Sequence, residues 1–170
     1  MNANLTQFAE LVDNASLPFY TRITELLERD EITVKCDTRA VAFYPDTKLK
    51  QQPLVLRFSI TDGALSTELK LNFIDSYTNI IEEMPDHIKA LFRSVRGCKR
   101  NREECRIFDP KCGMRRTYTL GGQHIYLCSY KYYFRPDTAN SDDADYYAKI
   151  IVAESLAAMA RTKHNTALYD

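Results

Sequence analysis

Apolar and polar residues alternate along residues 54–61 and again along residues 65–73, as they do in strands that bury one face. Asp62-Gly63 separates the two runs and is typical of a type I′ hairpin turn, because both central residues of that turn need a positive φ. The predicted pairs are Ile60 with Leu65, Phe58 with Thr67, Leu56 with Leu69 and Leu54 with Leu71. In this register both strands place their apolar residues on the same face of the sheet.

A second long hairpin is predicted nearer the C-terminus. Residues 115–120 and 123–134 flank Gly121-Gly122, another two-residue turn signal. The resulting register sets Cys128 opposite Arg115, close to Cys112 along the pair.

Two shorter β-prone runs precede the first long hairpin, at residues 32–36 and 40–44. Only three residues, 37–39, separate them. The runs therefore predict either a small hairpin or a bent strand.

Four segments carry apolar residues at helical spacing, and they cover residues 6–14, 16–27, 76–96 and 141–161. Pro85 interrupts the third, which predicts either a kinked helix or two helices that meet at Pro85. The fourth has almost no polar face. It is therefore expected to be buried against the sheet or to be shared with a second copy of the chain in a homodimer.

These elements predict an α+β protein, in which an antiparallel sheet built from two β-hairpins packs against α-helices beside an N-terminal helical pair. Residues 54–74 and 115–134 are expected to contribute to one sheet. A length of 170 residues fits a single domain, residues 1–170. Its expected parts are the helical pair (1–30), a hairpin with a helix (31–96), a cysteine- and tyrosine-rich loop and hairpin (97–135), a C-terminal helix (136–161) and a loose tail (162–170).

The composition, 45% hydrophobic and 27% charged, is that of a globular protein and excludes disordered and fibrous classes. The sequence has no apolar run long enough to span a bilayer, and residues 1–9 have neither a basic cluster nor an apolar core, so we expect a cytoplasmic protein without a membrane partner. Because that compartment is reducing, the five cysteines are expected to be thiols or metal ligands rather than disulfides.

Four cysteines lie in the C-terminal half of the chain, at spacings of six, six and fifteen intervening residues. They are Cys98, Cys105, Cys112 and Cys128. Four thiolates satisfy tetrahedral zinc, and a structural zinc would hold a long loop that has few apolar residues. The alternative is that these are small buried side chains and incidental thiols, because the usual C-x₂-C spacing is absent. Cys36 is expected to lie in the core.

Positive charge concentrates in residues 96–135, which hold ten Lys and Arg against three Asp and Glu. The same stretch supplies the candidate ligand-binding residues Tyr118, Tyr126, Tyr130, Tyr132 and Arg115. Tyrosines beside arginines can stack the bases of single-stranded nucleic acid, or can line a pocket for a small organic ligand. Tyrosine is also a good strand residue that packs under helices, and the sequence favours this packing role.

No nucleotide-binding, hydrolase or metalloprotease motif occurs in the chain. A thiol enzyme would use a residue such as Cys98, whose basic neighbours favour a thiolate while the preceding helix C-terminus disfavours one. The three histidines, His87, His124 and His164, form no Cys/His motif with it, so no base is assigned. The sequence thus predicts a non-enzymatic binding or regulatory module for an unknown small molecule or protein. Single-stranded nucleic-acid binding is the first alternative and a thiol enzyme the second.

Overall fold

The computed structural model describes residues 3–28, 31–47, 53–93, 115–128 and 133–166. The helices of these ranges are α1 (Ala3–Ala9), α2 (Leu17–Leu26), α3 (Thr78–Glu82), α4 (Asp86–Arg93) and α5 (Asp143–Thr166), with a 3₁₀ turn at Ile74–Ser76. The strands are β1 (Ile32–Cys36), β2 (Ala40–Pro45), β3 (Leu56–Thr61), β4 (Ala64–Leu69), β5 (Arg115–Leu120) and β6 (Gln123–Cys128). None of the helices in these ranges is long and apolar enough to cross a membrane.

The strands form two antiparallel sheets, which confirms the α+β class. One has four strands in the order β1-β2-β3-β4, built from two hairpins, and β5 and β6 form the other. The expectation that residues 54–74 and 115–134 share a sheet is therefore wrong for the described strands. At the edge of β4, Phe134, the last residue of the second stretch, exchanges two backbone hydrogen bonds of 2.8 Å with Leu69, so an isolated bridge at this residue lies beside β4 where β5 or β6 was expected.

Both predicted hairpin registers are confirmed where strands are described. Ile60 faces Leu65, Phe58 faces Thr67 and Leu56 faces Leu69. In the second hairpin Arg115 faces Cys128. At the first turn Asp62 and Gly63 have φ values of 53° and 78°, so the turn residues adopt the left-handed conformation that their identities favoured.

The short runs 32–36 and 40–44 form the β1–β2 hairpin, so the predicted hairpin is confirmed and the alternative of a bent strand is wrong. Asp37 stabilises its turn by accepting hydrogen bonds from the backbone N–H groups of Arg39 and Ala40, each at 2.8 Å. This carboxylate explains why so tight a connection forms without glycine.

The first predicted helix begins and ends earlier than expected, and the third is divided. The first ends at Ala9 because Asp13 lies in a turn, where its carboxylate accepts hydrogen bonds from the N–H groups of Ser16 and Leu65. The third segment is a 3₁₀ turn followed by two helices, and Pro85 immediately precedes α4. The second alternative is thus confirmed, since an interior proline would have lost a helical hydrogen bond.

The helix α5 packs against α2, α3 and β2, so the prediction that it is buried is confirmed. Ile150 and Ile151 are fully buried, and the Tyr147 ring meets Phe19 of α2 edge-on at 6.1 Å. The homodimer predicted through this helix stays a prediction. The expected loose tail is wrong for residues 162–166, which continue α5, and the Thr162 hydroxyl donates to the Ala158 carbonyl one turn earlier.

One carboxylate, that of Glu154, lies in the core with only 1% of its surface exposed. Its two oxygens accept hydrogen bonds from the backbone N–H of Asn72 at 2.7 Å, the backbone N–H of Phe73 at 3.1 Å and the Tyr77 hydroxyl at 2.6 Å. These bonds tie α5 to the segment that follows β4. Burial nevertheless raises the pKa of Glu154, because desolvation outweighs the three hydrogen bonds.

The raised pKa of Glu154 predicts a particular pH dependence of stability. Between about pH 4.3, the ordinary glutamate value, and the raised pKa, the folded state binds more protons than the unfolded state. The free energy of unfolding therefore falls as the pH rises through this window. Glu154→Gln, which cannot titrate, should lack this slope and should be less stable at every pH by about 1–3 kcal/mol, since an amide donor replaces an acceptor.

Urea unfolding of both proteins between about pH 4 and pH 8 measures this effect. Glu83→Gln, an exposed glutamate just after α3, serves as the matched control and should keep the wild-type slope. An identical slope in wild type and Glu154→Gln would contradict the raised pKa.

Candidate functional site

The β5–β6 hairpin has two chemically different faces. The inner face is buried and apolar, and it holds Tyr118, Leu120, Ile125 and Leu127. It packs against α3 and the 3₁₀ turn before it. This hairpin is therefore a surface layer with one face in the core.

Tyr118, one of the predicted ligand-binding residues, belongs to the inner face and is only 4% exposed. Its hydroxyl donates a hydrogen bond to the Phe92 carbonyl at the end of α4. The Phe92 ring in turn lies 4.8 Å from that of Phe134. Tyr118 thus anchors the hairpin to the helices, the packing role that the sequence favoured for the tyrosines.

The outer face carries polar and aromatic side chains. Cross-strand pairing sets Thr117 beside Tyr126 and Thr119 beside His124. The Arg115 guanidinium carbon lies 5.6 Å from the centre of the Tyr126 ring, a cation–π distance. The Thr119 hydroxyl lies 3.2 Å from His124 Nδ1. We call these five residues the hairpin outer face.

The turn between β5 and β6 is fixed to the helices beneath it. Gly121 and Gly122 have backbone φ values of 59° and 73°, which residues other than glycine rarely adopt. The N–H of Gly121 donates to the Glu82 carboxylate at the end of α3, and the Arg93 guanidinium of α4 lies against the same glycine. The Glu82 carboxylate therefore holds the turn in place.

Of the four predicted zinc ligands, the structure describes Cys128, while Cys98, Cys105 and Cys112 lie outside the described residues, as do Tyr130 and Tyr132. Cys128 is a buried free thiol at the end of β6. In the described ranges no three histidine, cysteine or carboxylate side chains form a group that could hold a metal ion.

The fifth cysteine, Cys36, was expected in the core; it is partly buried and packs against the edge of the core. Burial, together with the charge of Asp37, raises the pKa of the Cys36 thiol. Since the thiolate is the nucleophilic form, this residue is poorly suited to the thiol-enzyme alternative.

A histidine–carboxylate pair, which the sequence did not reveal, joins two helix starts. His87 Nε2 lies 2.9 Å from both carboxylate oxygens of Asp143, and Asp143 Oδ1 also accepts a hydrogen bond of 3.1 Å from the Asn140 side-chain amide. The His87 side chain is 59% exposed and that of Asp143 is 6% exposed. The pair connects α4 to α5, and no described nucleophile is hydrogen-bonded to His87. Because His87 and Asp143 are 56 residues apart in the chain, no local sequence pattern could have predicted the pair.

Comparison of this chain with protein family models, with curated proteins and with solved structures finds no match. The function is therefore inferred from the residues of the chain and their arrangement. Among the described candidates of the sequence analysis, Arg115 and Tyr126 share a face and touch, whereas Tyr118 points the other way.

The anchoring role of Tyr118 predicts that Tyr118→Phe lowers the free energy of unfolding by about 1 kcal/mol, because the Phe92 carbonyl loses its buried donor. Tyr44→Phe is the matched control. Tyr44 is a half-buried strand tyrosine on β2, and its change should shift stability by less than about 0.5 kcal/mol. Urea unfolding compares the two variants, and equal losses would contradict an anchoring hydrogen bond at Tyr118.

Proposed function

We propose that this protein is a non-enzymatic binding module whose working surface is the hairpin outer face, and that its ligand is single-stranded nucleic acid. The observation that carries the proposal is the Arg115 guanidinium over the Tyr126 ring, 5.6 Å from its centre. A guanidinium pairs with phosphate oxygens, and a phenol ring stacks with a nucleobase. The contact thus brings together the two groups that such a ligand requires.

The charge and the hydrogen-bonding groups around this contact support the same ligand class. Residues 96–135 carry ten basic and three acidic side chains, which attract a polyanion. Thr117, Thr119 and His124 are exposed and can donate or accept hydrogen bonds to bases and sugars. In the alternation of the sequence, Tyr130 and Tyr132 are expected on the same face of a strand as Tyr126.

The rigidity of the hairpin also supports a binding role. Tyr118 fixes its middle to α4, and Glu82 fixes its turn. A platform held by its inner face loses little conformational entropy when a ligand binds to its outer face. A single-stranded ligand is preferred over a duplex because stacking on a side chain requires an unpaired, accessible base.

The proposal predicts measurable, salt-dependent binding of a fluorescent oligo-dT or oligo-U of about 15 nucleotides. Affinity measured by fluorescence anisotropy should fall steeply between about 50 mM and 200 mM salt. Tyr126→Leu should weaken binding about tenfold through lost stacking. Arg115→Gln should also flatten the slope of log affinity against log salt by about 0.7, the value expected for one phosphate contact on a single strand.

Arg57→Gln is the matched control, because Arg57 is an exposed strand arginine on β3 in the other sheet. It should leave both the affinity and the salt slope unchanged. Absence of binding at about 50 mM salt would reject nucleic acid as the ligand. An equal loss for Arg57→Gln and Arg115→Gln would reject the hairpin outer face as the surface.

We also propose that a structural zinc held by Cys98, Cys105, Cys112 and Cys128 stabilises this part of the chain. Cys128 supports the proposal as a free, buried thiol at the end of β6, opposite the first residue of β5. Cys112 precedes that residue by three positions, so the chain cannot carry it far from Cys128. When bound, the metal would supply fixed tetrahedral thiolate coordination and no reaction step.

Elemental analysis of untagged protein, beside a count of reactive thiols, tests this proposal. We expect one zinc per chain with four protected thiols, and loss of most of the zinc in Cys128→Ser because one ligand of four is removed. Cys36→Ser, the matched control, should keep the metal. Metal-free protein with every cysteine reactive would contradict the proposal.

A further inference from the structure

The strand β1 forms an edge of the four-stranded sheet, and among the described strands it pairs only with β2. The N–H of Asp37 donates to Ala40, and the N–H of Asp46 donates to Glu31. In an antiparallel ladder hydrogen-bonded pairs alternate, so Thr33 and Lys35 bond to β2. The backbone N–H and C=O groups of Ile32, Val34 and Cys36 therefore point away from the sheet, where an added strand would meet them.

A cavity of about 340 Å³ lies beside one end of this edge, between α1 and the β1–β2 turn. It is lined by Asn4, Gln7, Phe8, Glu10, Leu11, Cys36, Asp37 and Thr38. Phe8, Leu11 and Cys36 give it an apolar part. A cavity next to an open strand edge is the arrangement by which peptides add a strand and insert a side chain for specificity.

The side chains of β1 that face the core are not all fully buried. Val34 and Cys36 pair with Phe43 and Val41 and share their face of the sheet. Phe43 and Val41 are fully buried, whereas Val34 and Cys36 are only partly buried. An added strand would bring its own side chains beside these two residues and extend the apolar layer.

The charge at this edge is negative. Glu10 and Asp37 line the cavity, and Glu31 lies next to the other end of β1. The two basic residues of the β1–β2 hairpin are Lys35 and Arg39, and neither lines the cavity. The Lys35 ammonium lies 4.8 Å above the Tyr44 ring on the opposite face of the sheet. The cavity thus favours a positively charged side chain.

The same charges disfavour a second copy of this chain. If two β1 strands paired antiparallel about Val34, Glu31 of each copy would lie opposite Asp37 of the other. Like charges that face each other across a strand pair are destabilising. An edge strand flanked in this way resists self-association and remains available to a basic partner.

We propose that β1 is a strand-addition site for an extended, basic peptide segment of a partner protein. The peptide backbone pairs with Ile32, Val34 and Cys36, and one of its basic side chains enters the cavity beside α1, near Glu10 and Asp37. This site is separate from the hairpin outer face, whose charge has the opposite sign.

The test uses ¹⁵N-labelled full-length protein and two blocked peptides, Lys-Val-Lys-Val-Lys and Glu-Val-Glu-Val-Glu. Titration with the basic peptide should shift the amide resonances of Ile32, Val34 and Cys36 and slow their hydrogen exchange. The acidic peptide should have little effect. Glu10→Lys should weaken binding of the basic peptide at least fivefold, while Glu83→Lys, the same change beyond α3, should leave it unaltered.

Three results would overturn the proposal. One is equal affinity for the two peptides, which would show that charge does not determine which peptide binds. Another is a set of shifted resonances that excludes β1. The third is slow exchange of the three edge amides in the free protein, at any protein concentration, since the edge would then already be paired by this chain or by a second copy.

Discussion

The hydrogen bonds to the Glu154 carboxylate fix α5 to the segment that follows β4, within a core that packing already shares between them. An ionisable group in the core is costly unless its oxygens are satisfied, and here two backbone N–H groups and the Tyr77 hydroxyl satisfy them. These donors belong to the segment that leads from the four-stranded sheet into α3. Since α3 supplies Glu82 to the turn of the β5–β6 hairpin, the position of the hairpin depends on a carboxylate carried by α5.

The hairpin illustrates how one element can serve the core and a surface at once. Its alternation assigns Tyr118 to the helices and Tyr126 to the outside, although both residues are tyrosines in neighbouring strands. A residue type enriched in strands therefore has two uses, and only the register decides between them. The register itself follows from Gly121-Gly122, because a two-residue turn with positive φ values leaves a single way to pair the strands.

Features set by neighbouring residues were the ones that the sequence predicted well. The pairs Ile60–Leu65 and Arg115–Cys128 depend on a turn and a period of two, which local patterns contain. The hydrogen bonds to Glu154 join residues that are separated by 77 to 82 positions in the chain, and the His87–Asp143 pair joins residues separated by 56. Nothing in the local sequence around either residue indicates its partner. The single-sheet prediction failed for a similar reason, since a long-range contact, the Leu69–Phe134 bridge, decides which residue lies beside β4, and the local pattern of β5 and β6 does not contain it.

The two proposed surfaces differ in charge in a way that bears on how they would work together. The hairpin outer face belongs to a stretch with an excess of seven basic residues, ten against three, whereas the cavity beside β1 is lined by two carboxylates. A polyanion is repelled from β1, and a basic peptide is repelled from the hairpin. Each ligand would therefore bind selectively to one surface and would not compete with the other. Both could be held at once, because each surface lies on a different sheet.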